Sequence, residues 1–291
     1  MDRDVALLCN PSAGGGRAAR ILPGVEEELR ALGIAFHTET TSDLEHARAL
    51  AVAAATAGEA TVTLGGDGLA GCVAGAVRAV PGALLGVLPG GRGNDLARAL
   101  GIPVDPRAAC EVIATGRPRT LDLGEVGGRT FVGIASLGFD SDANRIANAA
   151  PSRLGSLVYV YGALRALAGW KPARFDLLVD GEPLQFTGYS VAAANSPGYG
   201  GGMLLAPSAQ LDDGLFDVVL AGELSKRRFL TLLPKVFKGA HVDEPSYRMV
   251  RARELQIDAD RPFVLYADGE PIGETPVTIR IVPGALQVLA P

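Results

Sequence analysis

Between Ala60 and Gly71 the chain reads ATVTLGGDGLAG, a short apolar and β-branched run that breaks into a glycine turn, with helical spacing from Leu69 to Val80. Such a run reads as a buried strand, and Gly65, Gly66 and Gly68 let the backbone turn sharply and approach a ligand closely. The turn would then sit at a helix N-terminus, where free N–H groups and the helix dipole favour an anion. Asp67 should repel a bare phosphate, so its presence points to a metal between carboxylate and phosphate, or to proton handling.

The same alternation surrounds this unit. Strands are expected at Val5–Cys9, Ile34–Thr38 and Leu84–Val87, and helices at about Arg17–Leu32, Asp43–Ala57 and Asn94–Leu100. Strands alternating with helices of this length imply parallel pairing through right-handed crossovers, hence a three-layer α/β nucleotide domain over residues 1–122. From residue 123 to 291 the pattern changes to short alternating or β-branched runs at Thr130–Ile134, Phe175–Val179, Ser190–Ala194, Phe216–Leu220, Leu255–Asp258, Phe263–Ala267, Val277–Ile281 and Ala285–Leu289. Turn signals such as Asp180-Gly181, Asp213-Gly214 and Asp268-Gly269 separate them, as in a C-terminal β-rich sandwich, the last strand of which could return to the first domain. Helical insertions are expected at Ser152–Ala168 and Lys226–Phe237.

A formal charge of −5 argues against a general nucleic-acid binder. Cys9, Cys72 and Cys110 are scattered and odd in number, which supports neither a disulfide framework nor a zinc site and suits a reducing, cytoplasmic setting. The apolar run near the start is too short for a secretory segment, and no stretch reaches the roughly 18 apolar residues of a membrane span. The longest, Leu154–Trp170, contains Arg165 and three glycines.

None of the four lysines follows a glycine, so the Walker A pattern is absent. After the first strand, Asn10-Pro11-Ser12-Ala13-Gly14-Gly15-Gly16 loosely meets the dinucleotide pattern through Gly14, Gly16 and Ala19, with Glu39 about where a ribose-binding acid would lie; a plain β–α loop is an equal reading. A third glycine turn, Leu88-Pro89-Gly90-Gly91-Arg92-Gly93-Asn94-Asp95, again links strand to helix, and Asn94 or Asp95 there could serve simply as an N-cap. Three glycine junctions fall at one sheet edge, where ligands bind in parallel folds. In the second half, Gln210-Leu211-Asp212-Asp213-Gly214-Leu215 and Ala267-Asp268-Gly269-Glu270 read singly as turns.

Together, NPSAGGG, TLGGDG, LPGGRGNDLARALGI, ASLGFD, NSPGYGGGMLLAPSAQLDDGLFDV and YADGEP occur in an order that resembles the diacylglycerol kinase catalytic family, related to sphingosine kinases and distantly to NAD kinases. The resemblance implies an ATP-dependent, Mg²⁺-requiring lipid kinase acting on the free hydroxyl of a diacylglycerol-like lipid. It places the ATP site at Asn10, Pro11, Gly14, Gly15, Thr41, Gly65, Gly66, Asp67, Gly68 and Asn94. Asp95 becomes a second contributor to the catalytic metal, Glu270 the general base, and Gln210, Asp213 and Leu215 a structural Mg²⁺ site. Two positions depart from the family pattern: Leu69 and Arg92 replace the usual threonines. Arg92 brings a permanent cation with five donors, which would compensate by binding phosphate.

A lipid acceptor implies a membrane-facing surface. Lys226, Arg227, Arg228, Lys235 and Lys238, interleaved with Phe229, Leu230, Leu232, Leu233, Val236 and Phe237, form a basic cluster that could lie on anionic lipid, or be the solvated rim of a packed helix. Peripheral membrane contact and a homodimer are compatible with this reading. Its rivals are NAD kinase-like phosphorylation of a soluble dinucleotide, and a non-catalytic lipid or nucleotide sensor with a site decayed at Leu69 and Arg92.

Overall fold

The computed structural model describes residues 4–151, 154 and 157–291. Two compact units divide the chain: one runs to Leu121 and takes back Gly284–Pro291, the other is Asp122–Pro283.

In the first unit, β1 (Val5–Cys9), β2 (Phe36–Thr40), β3 (Ala60–Gly65) and β4 (Leu85–Pro89) pair in parallel in the order β4-β3-β1-β2. β1, β3 and β4 are buried along their whole length, the mark of a sheet covered on both faces, and this is why they read as continuous apolar runs. The helices pack in pairs, α1 (Ala13–Ala31) with α5 (Pro106–Thr115), and α2 (Leu44–Thr56) with α3 (Asp67–Val77). Asp43 caps α2 by accepting from the His46 N–H at 2.8 Å, and Asp105 caps α5 by accepting from Arg107 and Ala108 at 3.0 Å, with Pro106 at the first helical position. Gly14, Gly15 and Gly16 all have positive φ, so regular helix begins at Arg17, as the sequence spacing predicts.

The second unit is antiparallel. Its sheet runs β14 (Glu270–Glu274), β13 (Val264–Ala267), β7 (Ile134–Gly138), β9 (Glu182–Ala194), β8 (Ala173–Val179), β12 (Glu254–Ala259) and the start of β15 (Val277–Ala290). β9 changes partners along its length: Glu182–Gly188 pairs with β8, whereas Ser190–Ala194 lies between β7 and β10 (Phe216–Gly222), which carries β11 (Tyr247–Ala252) on its other edge. Gly188 sits at the change, where a Cβ would lie 2.3 Å from the Ala221 carbonyl oxygen, a contact no side chain tolerates. Phe131, Phe175 and Phe216 fill the core beneath this sheet. A β sandwich of this kind matches the expected fold class.

Three of the expected elements take a different form. Thr130–Ile134 is two strands, β6 (Arg129–Phe131) and β7, parted at Val132-Gly133. The two final strands are one, β15, whose Val277–Arg280 pairs with β12 and whose Val288 pairs with Leu85 of β4, with Gly284 at positive φ between the two stretches. Of the helix expected at Ser152–Ala168, residues 152–153 and 155–156 lie outside the described residues, and the helix described is α7 (Leu157–Gly169). It crosses α6 (Phe139–Asn148) at Gly162, where a Cβ would stand 2.3 Å from the Ala143 carbonyl oxygen. Phe139 on α6, Tyr189 on β9 and Phe229 on α8 (Lys226–Val236) stack within 4.8–5.6 Å of one another and fasten both helices to the core.

Candidate active site

At the carboxyl ends of β1, β3 and β4 the three glycine turns touch one another. A Cβ on Gly14 would lie 2.7 Å from the Gly90 carbonyl oxygen, one on Gly91 2.4 Å from the Gly66 Cα, and one on Gly90 3.1 Å from the Gly65 nitrogen. Only bare backbone allows this approach, and the Gly90 N–H donates to the Gly65 carbonyl at 2.7 Å across it. The result is a cradle of main chain at the start of α3, whose N-cap residue Gly66 offers no side-chain acceptor to the helix N–H groups. Such a surface suits a polyphosphate. Gly91→Ala should therefore destabilise the first unit by about 3 kcal/mol and weaken nucleotide binding, measurable by chemical denaturation and calorimetric titration.

The polar residues of these turns have defined tasks. Asn10 Oδ1 accepts from the Ser12 N–H and hydroxyl, which closes the first turn behind Pro11. Asn94, at positive φ, clamps Gly91 from both sides: its Oδ1 accepts from the Gly91 N–H at 2.9 Å and its Nδ2 donates to the Gly91 carbonyl at 3.1 Å. It stands at the N-cap position of the short helix α4 (Asp95–Ala99) without capping it. The cap comes from Asp67, whose Oδ1 accepts from the Leu96 N–H at 3.0 Å, so the structure brings Asp67 against the turn that begins with Asp95. Asp67 Oδ2 has no hydrogen-bond partner among the described residues. Thr41 is buried, its hydroxyl given to the Cys9 carbonyl. Leu69 is buried against Gly65, so the missing threonine is replaced by packing. The Arg92 guanidinium makes no hydrogen bond or ion pair among the described residues.

No cluster of three or more His, Cys, Asp or Glu side chains forms a ready-made metal site among the described residues. Mg²⁺ carried with a nucleotide takes one or two carboxylates and completes its shell from phosphates and water. Asp67 Oδ2 is a carboxylate oxygen of that kind.

In the second unit, Asp268 and Glu270 flank the β13–β14 turn. The Asp268 carboxylate accepts from three successive backbone N–H groups, Val132 at 2.8 Å, Gly133 at 2.9 Å and Ile134 at 3.3 Å, and Asn148 Nδ2 donates to the Gly269 carbonyl at 2.9 Å. The turn is thus a held platform as well as a hairpin. Glu270 starts β14 at the surface; desolvation by the surrounding protein raises its carboxyl pKa above the usual value, and the Arg129 charge opposes the shift.

Asp213 pairs with Arg251 through Oδ2 and accepts from the Leu215 N–H through Oδ1 at 3.1 Å. A cation held by Asp213 with Gln210 and Leu215 would have to displace Arg251. Asp122 was not among the residues expected to act, yet it knits this loop: it is buried, its Oδ2 accepts from the Gly214 N–H at 2.6 Å, and its backbone N–H donates to the Leu211 carbonyl at 2.7 Å. Asn195, fully buried, donates from Nδ2 to the Asp122 and Val132 carbonyls. A carboxylate inside the apolar run Leu121-Asp122-Leu123 is the sequence signal for it.

Asp140, in ASLGFD, is a second such residue. Burial pushes its pKa up to about 6, against hydrogen bonds from Ser190 and Tyr199, and its Oδ2 has no partner. The folded state holds this proton more tightly than the unfolded chain, so stability falls as pH rises from about 4 to about 6 and is flat above. The shift of about two units corresponds to about 3 kcal/mol. Asp140→Asn should raise the melting temperature at pH 8 and remove that slope, as pH-resolved calorimetry would show.

Residues 4–126 match the diacylglycerol kinase catalytic domain, and residues 133–290 match the YegS C-terminal NAD kinase beta sandwich-like domain. The chain is 35% identical to a diacylglycerol kinase of Mycobacterium tuberculosis, over 99% of this chain and 95% of that one. It is 32% identical to a protein of Pseudomonas aeruginosa named probable lipid kinase YegS-like, over 100% of this chain and 96% of the other. Its fold superposes on the crystal structure of a diacylglycerol kinase from Bacillus anthracis with a TM-score of 0.78 at 20% identity, covering 99% of this chain and 97% of that one.

Proposed function

Since this chain belongs to the diacylglycerol kinase and YegS-like family of lipid kinases, we propose that it transfers the γ-phosphoryl group of ATP to the free hydroxyl of a diacylglycerol-like lipid. The observation that carries the nucleotide half is the meeting of three glycine turns, closed enough that a single methyl group would strike backbone, beside Asp67 and the first turn of α4. Magnesium, when bound with the nucleotide, supplies the positive charge that phosphoryl transfer requires. Asp67 and Asp95 would hold it, and Arg92, free of other partners among the described residues, would neutralise phosphate charge. Glu270 would take the acceptor hydroxyl proton, a task that its raised pKa suits better than an ordinary carboxylate would.

The acceptor side is supported by the second unit. On α7, Leu157, Tyr161 and Leu164 form an exposed stripe at helical spacing, while Val158, Gly162 and Ala166 face inward. On α8, Phe229 and Leu232 are buried and Leu230 is exposed, as is Phe237 just past its end, and Arg227, Lys235 and Lys238 along the same stretch are exposed too. Lys226 Nζ donates to the Ala168 carbonyl at 2.8 Å and joins the two helices. One face of the basic cluster packs on the core, as a packed helix would, and the other offers apolar side chains in a basic fringe. That fringe suits an anionic membrane surface, with the protein working at the cytoplasmic face. No helix among the described residues is long and apolar enough to cross a membrane.

Purified protein with γ-labelled Mg-ATP and vesicles of phosphatidylglycerol containing diacylglycerol should give labelled lipid. Label in a soluble dinucleotide, or none in any acceptor, would overturn the reading.

A further inference from the structure

A cavity of about 490 Å³ in the second unit, between α6, the end of α7 and the segment leading into β13, has no role in the transfer described above. Its wall is cationic. Arg145, Lys171 and Arg261 line it against one carboxylate, Asp142, on a chain whose formal charge is −5. Arg145 pairs with Asp142 at 3.3 Å and Arg261 with Asp260 at 3.2 Å, but no carboxylate pairs with the Lys171 ammonium among the described residues.

Arg261 is held before any ligand arrives. Its guanidinium lies 5.4 Å from the Trp170 ring centroid and 5.0 Å from that of Phe263, and donates to the Lys171 and Pro172 carbonyls. Those bonds and the Asp260 pair leave Nε and one Nη2 hydrogen undonated. A planar cation fixed by stacking and backbone acceptors loses little freedom on meeting an oxyanion.

Two further donors in the same wall lack acceptors. Ser141 Oγ and Trp170 Nε1 are both buried without a hydrogen-bond partner, and both residues line the cavity. An unsatisfied buried polar group is costly, and such groups in native proteins ordinarily mark a water, an ion or a ligand. An indole N–H only donates, so what it lacks is an acceptor. Cations in excess, spare donors and apolar side chains at the buried Phe263 and the exposed Val264 together call for an anionic oxygen ligand attached to something apolar.

We propose that this cavity is a phosphate-recognition subsite, which takes the phosphate of an amphiphile whose apolar part lies on Phe263 and Val264. Lys171 and Arg261 meet the phosphate oxygens, and Asp142 limits affinity by repulsion.

Trp170 is the single tryptophan of the chain, so its fluorescence reports on this wall directly. The protein is titrated with inorganic phosphate, with monomeric dihexanoylphosphatidate, and with sodium chloride at matched ionic strength. Saturable changes are expected with the two phosphate probes and not with chloride. Equal affinity for both assigns the subsite to free phosphate, and at least about tenfold tighter binding of the phosphatidate assigns it to a lipid headgroup. Lys171→Gln, at an exposed position that tolerates substitution, and Arg261→Gln should each weaken binding about tenfold, whereas Asp142→Asn should tighten it. No saturable change with either phosphate probe would overturn the proposal, as would affinities unaltered in Lys171→Gln and Asp142→Asn.

Discussion

Glu270→Gln should lower phosphoryl transfer by about 10²–10⁴-fold and leave Mg-ATP binding intact. Glutamine keeps the size of the side chain and its place at the head of β14, but it has no lone pair basic enough to accept the proton of an alcohol. The fold has little to lose: Glu270 is exposed, and the turn that presents it is held by Asp268 through three backbone N–H groups and by Asn148. The wild-type rate should also carry an acid limb. Desolvation raises the Glu270 pKa, so protonation removes the base at a pH above the ordinary carboxylate range, and turnover falls as pH is lowered through that value. In the variant that limb should vanish from the residual rate. Pre-steady-state transfer across pH, with calorimetric titration of Mg-ATP, checks both; near-normal turnover in the variant would take Glu270 out of the base position.

The glycine turns were legible because the sequence states them twice, as residue type and as position between strand and helix. What was hidden was their mutual contact: nothing in the spacing shows that Gly91 lies on Gly66 or that Asn94 serves Gly91 and not the helix after it. Elements missed along the chain fall into two kinds. α5 and α6 carried readable signals, Asp105-Pro106 as a helix start and Phe139, Ala143, Ile146 and Ala147 at helical period. The first half of β9 did not, since Pro183 and polar residues mask it and only pairing with β8 makes it a strand. β15 reads as two strands for a sound local reason, the Pro283-Gly284 pair, which lies within one continuous strand between the stretches that pair with β12 and with β4. Asp122 is absent from the expected site and Asp268 reads only as a turn residue, because the work of both is to hold backbone N–H groups from distant segments.

Asp67 caps α4 and is proposed to hold a cation, two roles that substitution can separate. Its Oδ1 accepts from the Leu96 N–H and so orients the start of α4, while its Oδ2 has no hydrogen-bond partner among the described residues. Asp67→Asn preserves an acceptor for Leu96 but removes the charge; Asp67→Ala removes both. The asparagine variant should therefore unfold near the wild-type temperature, yet turn over about a hundredfold or more slowly, with half-maximal activity shifted to higher Mg²⁺ concentration. The alanine variant should be as slow and, in addition, less stable by about 1 kcal/mol, the usual worth of a lost cap. Thermal unfolding of the two proteins beside Mg²⁺ titrations of transfer gives the comparison. If Asp67→Asn turned over normally while Asp67→Ala lost only stability, Asp67 would be a helix cap alone, and the metal would have to be held without it.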